Sequence, residues 1–132
     1  MLITKTKYFD IVEWAMNVLH IDATVSVVEN TPLLERLAGD GYELYAAVFP
    51  SSIAHNYQLI VSENATELAI IHECIHLQQF ERGDLVRNTD GSYSWKGESW
   101  DKKAKYYSRP WEKEAFKLEK QLYAKWKKFK KQ

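Results

Sequence analysis

The chain has 132 residues, 18 basic and 18 acidic side chains, and a composition 45% hydrophobic and 14% aromatic. That is enough apolar material for one domain, expected over residues 1–132, and a formal charge of zero supplies no global field for a polyanion such as nucleic acid. The lone cysteine, Cys74, excludes an intramolecular disulfide, and no apolar run is long enough for a membrane span. With no signal-peptide pattern after Met1, a cytoplasmic protein is the expectation.

In chain order, Tyr8, Phe9, Ile11, Val12, Trp14, Ala15, Val18 and Leu19 recur at helical spacing and predict an amphipathic helix. Residues 22–29 are rich in β-branched side chains and read as a strand, which Thr31-Pro32 breaks. A short turn of helix over 33–37 and a turn at Gly39-Asp40-Gly41 follow. Residues 42–49 and 57–62 predict two more strands, with a turn at His55-Asn56. Their short connections favour antiparallel pairing. His55, on that turn, reads as a solvated residue before a ligand.

Next comes a run without Gly or Pro, residues 65–80, with Asn64 and Glu67 in capping-box spacing before it and Gly83 as its natural terminator. Inside it lies His72-Glu73-Cys74-Ile75-His76. On a helix, His72 and His76 stack one turn apart on the same face and can share one zinc ion. Glu73, one step round, can take a proton from a metal-activated water and pass it to a leaving amine. The pattern therefore points to metal-assisted hydrolysis, most often of a peptide bond. Leu68, Ile71 and Ile75 mark the helix as part of the core.

Residues 84–109 mix turn formers with Tyr93, Trp95, Trp100, Tyr106 and Tyr107, and Asp90-Gly91 predicts a hairpin. So many rings in a polar stretch either wall a cleft or cover the core, and the two roles are compatible. From Pro110, a helix carries an apolar stripe through Trp111, Ala115, Leu118, Leu122, Trp126 and Phe129. Its lysine-rich end, residues 125–131, reads as a solvated face that complements the helix dipole; polyanion binding there is the other option.

A catalytic zinc needs a third protein ligand. Glu112 and Glu114 flank the apolar stripe in the first turn of the last helix, and helical geometry alone does not choose between them. The motif at 72–76, followed by Arg109-Pro110-Trp111-Glu112-Lys113-Glu114-Ala115, resembles the small gluzincin-type zinc metallopeptidases, of the compact kind that phages and bacteria encode. In that family the third ligand often stands three residues before an alanine, which implies Glu112 with Ala115 and leaves Glu114 as runner-up. Phe116 occupies the place of a frequent Asp or Asn, so no partner for the ligand histidines is identified. A metzincin-type third histidine is absent, since no His follows His76.

The resemblance implies an α+β, zincin-like fold: an N-terminal helix, a small mainly antiparallel sheet, the motif helix and a C-terminal helix. It implies a zinc metalloendopeptidase-like hydrolase acting on a peptide or protein substrate, with Zn2+ on His72, His76 and Glu112 and Glu73 as general base. Tyr106, Tyr107 and Arg109, just before the third ligand, are candidates for oxyanion or substrate contacts. The alternatives are a zinc-binding scaffold without catalysis and an adaptor that binds polyanions through the lysine-rich helix.

Overall fold

The computed structural model describes residues 2–3, 7–38 and 44–132, and the side chains of all of these except Leu2, Ile3 and Tyr107. Helix α1 (Phe9–Val18) forms where the helical period was read and buries Ile11, Val12, Ala15 and Met16. Strand β2 (Thr24–Glu29) turns Val25 and Val27 into the core beneath it. Helix α2 (Thr31–Ala38) is longer than the single turn expected there and buries Leu34. The turn expected at Gly39-Asp40-Gly41, and the first residues of the strand expected from Tyr42, lie outside the described residues.

The main sheet is mixed. Its order is β1 (Leu2–Ile3), β2, β4 (Asn56–Val61), β3 (Ala46–Pro50). β1 and β4 both run parallel to β2, and only β3 pairs antiparallel, with β4. The expected antiparallel pairing among the main strands thus holds for one hairpin alone. The reason lies in the connections. α1 supplies a crossover between β1 and β2. α2 carries the chain past the neighbouring slot, so that β3 takes the outer edge and the hairpin brings β4 back beside β2. α+β holds as the coarse class: a second, wholly antiparallel sheet of β5 (Leu85–Arg87), β6 (Tyr93–Trp95) and β7 (Glu98–Trp100) follows. Gly91 (φ 87°) turns its first hairpin, as expected. Lys96 (φ 50°) and Gly97 (φ 86°) turn the second, a two-residue loop of the type that needs positive φ at both positions.

Helix α3 (Glu67–Arg82) lies at the centre and touches α1, β3, β4, β5 and the last helix, α4 (Pro110–Lys130). Its N-cap is Thr66, whose Oγ1 accepts from the Ala69 N–H at 3.1 Å, in place of the expected Asn64. A turn from Ser62 to Ala65, closed by the Ala65 N–H on the Ser62 carbonyl, keeps Asn64 outside the helix. Gly83 ends α3 in the left-handed conformation, as its position predicted. α4 runs antiparallel to α3 and packs on it through Ala115, Leu122 and Trp126.

Candidate metal centre

A helix enclosed on nearly every side must find a partner for each polar side chain it carries. His72 and His76 are both 6% exposed, and so is Glu112, which α4 brings across from the facing helix. His72 Nε2 and His76 Nε2 lie 2.8 and 3.0 Å from the same atom, Glu112 Oε1, and 3.1 Å from each other. Two imidazole nitrogens and one carboxylate oxygen therefore meet at one point.

The far side of each ring is also held. Glu119, two turns beyond Glu112 and buried, lies 2.8 Å from His72 Nδ1. The carboxylate oxygen accepts, which assigns His72 Nδ1–H as the donor. Gln79 Oε1 accepts from His76 Nδ1–H at 2.7 Å. The Gln79 amide is oriented in turn, because its Nε2 donates to the Trp111 carbonyl at 3.0 Å and to Glu114 Oε1 at 3.1 Å. With both Nδ1 atoms protonated, a neutral ring keeps its lone pair on Nε2 and aims it at the shared point.

Without a cation there, the rings must bind extra protons to bond Glu112. Burial works against a charged His76, but the Glu112 hydrogen bond and the charges of Glu73 and Glu112 outweigh it and raise the ring to about 9. His72 is also raised, against burial and against the His76 charge, by Glu112 and Glu73. Glu112 is drawn down to about 2, since the two histidines overcome its burial. A cation that replaces those protons satisfies all three donor atoms at once, and this donor set suits zinc.

Glu114 is not part of this convergence. It faces Arg82, whose Nη2 donates to it at 2.8 Å, and it receives the Gln79 amide. Glu73 is half-buried, and its carboxylate lies within 4.8 Å of ring nitrogens of both histidines. Burial raises its carboxyl above the ordinary range, with the Glu112 charge adding to the effect. The histidines and the Val48 N–H, which faces it from β3, pull the other way without prevailing. Cys74, inside the motif, is fully buried and pushed up to about 12 by that burial, which removes it as a nucleophile or ligand.

Glu73 stands between two cavities. One, of about 330 Å³, reaches along the C-terminal half of α3 past His76 and Phe80 to Tyr93 and Trp111. The other, of about 290 Å³, reaches along the N-terminal half past Ala69 and Leu68 to Phe116. Tyr106 and Leu44 border both. Arg109 lines the larger cavity, with its guanidinium 5.8 Å from the Tyr106 ring centre. The Tyr107 side chain lies outside the described residues. His55 is remote from the centre; its exposed ring pairs with Glu81 at 2.8 Å. The aromatic segment fills both expected roles: Tyr93, Trp95 and Trp100 surround the buried Trp111 with centroid distances of 5.7, 6.5 and 5.8 Å, while Tyr93 also walls the cavity.

Compared with protein-family models, curated proteins and solved structures, the chain matches none.

Two residues of the centre escaped the sequence reading. Glu119 had a legible signal, a carboxylate on the same buried face as Glu112 and Ala115, but its partner stands 47 positions away. Gln79 had only its spacing of one helical turn after His76.

Proposed function

We propose that the protein is a zinc-dependent metallopeptidase of the gluzincin type, with His72, His76 and Glu112 as the ligands. The observation that carries this reading is the convergence of His72 Nε2, His76 Nε2 and Glu112 Oε1 on one point beside a cavity bordered by Glu73. When bound there, zinc supplies Lewis-acid polarisation of a peptide carbonyl and lowers the pKa of water at the site.

The remaining work falls to side chains and backbone. Glu73 takes the proton of the attacking water and delivers it to the leaving amine; a carboxyl raised by burial is matched to that double task. Glu119 and Gln79 hold the rings in the tautomer and orientation that ligation requires. Edge strand β3 offers main-chain contacts to an extended peptide. Tyr45 accepts from the Ser62 N–H and Ser51 donates to Asn56, so the alternation turns the Ala46 and Val48 peptide groups away from β4, towards the cleft. Tyr106 borders both cavities beside Glu73 and is the candidate contact for an oxyanion. A zincin-like arrangement of α3, β3 and α4 and a cytoplasmic place of action belong to the same reading. No helix of the described residues is long and apolar enough to cross a membrane.

The test is hydrolysis of a peptide library by the zinc-loaded protein and by Glu73→Gln. The variant should keep its zinc and lose about 10²- to 10⁴-fold in rate. Undiminished hydrolysis removes Glu73 from the mechanism. A wild-type protein that binds zinc and cleaves nothing is a scaffold.

A further inference from the structure

The two cavities beside Glu73 differ in charge. Arg109 is the only Lys or Arg among the described residues that line the larger one, and the smaller one has none. More exposed cations of the molecule have acids: Arg82 pairs with Asp84 and Glu114, and Lys130 with Glu67. Arg109 does not. Its Nε and Nη2 donate to the Ala104 carbonyl at 3.2 and 3.0 Å, and Nη2 reaches the Lys102 carbonyl at 3.4 Å. These bonds fix one edge of the guanidinium on backbone. Nη1 bonds to no described residue, and no described carboxylate lies within ion-pair distance. A guanidinium held on backbone at the wall of the cavity, with Nη1 uncommitted and no carboxylate partner, is a receptor for a carboxylate.

The rest of the cavity says what accompanies that carboxylate. Phe49, Phe80, Leu85, Tyr93 and Trp111 line it, enough ring and aliphatic surface for one bulky apolar side chain. The small sheet closes this end: Leu85 and Tyr93 belong to it, and the Arg87 guanidinium covers the Phe49 ring at 5.7 Å. Pro50 lacks an N–H and ends the main-chain donors of β3 there.

We propose that Arg109 is a specificity-determining residue: it binds a carboxylate of the substrate peptide next to a bulky apolar residue seated in the larger cavity. The carboxylate is either the C terminus of the peptide or an adjacent acidic side chain. The proposal rests on the peptidase reading for the word substrate, but the binding it describes does not need hydrolysis.

The experiment therefore measures binding. Zinc-loaded Glu73→Gln is titrated at low salt, by calorimetry, with three N-acetylated peptides. One ends in phenylalanine with a free carboxylate, the second is its amide, and the third is an amide with aspartate after the phenylalanine. One or both anionic peptides should bind about 10- to 100-fold more tightly than the neutral amide. A preference for the free terminus identifies the α-carboxylate as the source, and a preference for the aspartyl amide identifies the side chain. Arg109→Gln in the same background should abolish the preference, and Arg109→Lys should retain part of it. Equal affinity for the three peptides, or no binding of any, overturns the proposal without reliance on a variant that disturbs the loop. An equal loss for all three in Arg109→Gln also overturns it, since that is the mark of a structural role. Wild-type cleavage of the neutral amide as fast as the acids leaves the peptidase reading and ends this one. Carboxylate-selective binding by a protein that hydrolyses nothing does the reverse.

Discussion

At its far end the α3–α4 pair is closed by rings. Trp126 lies 5.3 Å from Trp14 and stacks on Phe129 at 5.8 Å, and its Nε1–H donates to Glu67 at the rim. At the near end the same two helices face each other through His72, His76, Gln79, Glu112 and Glu119, all buried. Apolar side chains of similar volume would pack there with no desolvation cost, and replacement of buried ionic groups by such residues is often neutral or stabilising. Ala115, Leu122 and Trp126 of α4 share one apolar cluster with Ile70, Ile71 and Ile75 of α3, so this pair of helices can make such contacts. A cluster of ionisable groups, with every ring nitrogen partnered, is thus not what stability alone selects, and its chemistry explains its presence better.

The strongest way to break this contrast is to remove a ligand. Glu112→Gln should reduce bound zinc from about one per chain to almost none, with Glu114→Gln retaining it, as measured by elemental analysis after gel filtration. If Glu114→Gln alone loses the metal, the convergence on Glu112 has been misread.

Removing the metal comes next. Saturation at a thousandfold excess over Kd is worth about 4 kcal/mol, so chelation should lower Tm by roughly 12–24 °C for a domain of this size. The transition should stay cooperative, because the apolar core, including the far-end rings, does not depend on zinc. Amide exchange should rise most over residues 84–109. A chain that unfolds at room temperature on chelation would make the zinc structural. The metal-free protein should also show its own pH dependence. The raised His76 contributes stability fully below its ordinary value near 6.5, and this is lost as pH rises through about 9. The lowered Glu112 contributes fully above its ordinary value near 4.5, and this is lost as pH falls through about 2. The metal-free Tm should therefore peak between the two ordinary values and fall by several degrees towards pH 9. Zinc affinity should climb over that alkaline range, because the ligands must shed protons to bind. A flat metal-free profile would contradict the charge coupling at the near end.

Glu119→Ala should weaken zinc about 10- to 100-fold, since His72 loses the acceptor that orients it. Glu119→Gln, which keeps an acceptor oxygen, should lose less. Equal affinities for wild type and Glu119→Ala would make Glu119 a packing residue only. The smallest effect belongs to the far end. Phe129 is 50% exposed, so Phe129→Ala should cost about 1 kcal/mol in Tm-derived stability and leave zinc affinity unchanged. A change in zinc binding there would show that the two ends are coupled.

Several features of this molecule follow from short stretches of chain alone. A helical backbone sets side chains four apart on one face, so His72 and His76 were legible as a pair before any fold was known. Gly83 and Gly91 mark positions where the backbone takes positive φ, and the stripe from Trp111 to Trp126 follows the helical period. Local rules reach no further than a few residues. The order of the sheet is a tertiary outcome: α2 follows β2 and touches β4, and β3 pairs on the outer edge of β4. The choice of Glu112 over Glu114 was decided by docking. Both lie in the first turns of one helix, and only the antiparallel packing of α4 on α3 turns one towards the histidines, 36 and 40 positions away, and the other towards Arg82. Glu119 and Gln79 became partners of the rings by the same packing, because which side chains meet across two helices depends on their crossing and register, which no spacing within either helix contains.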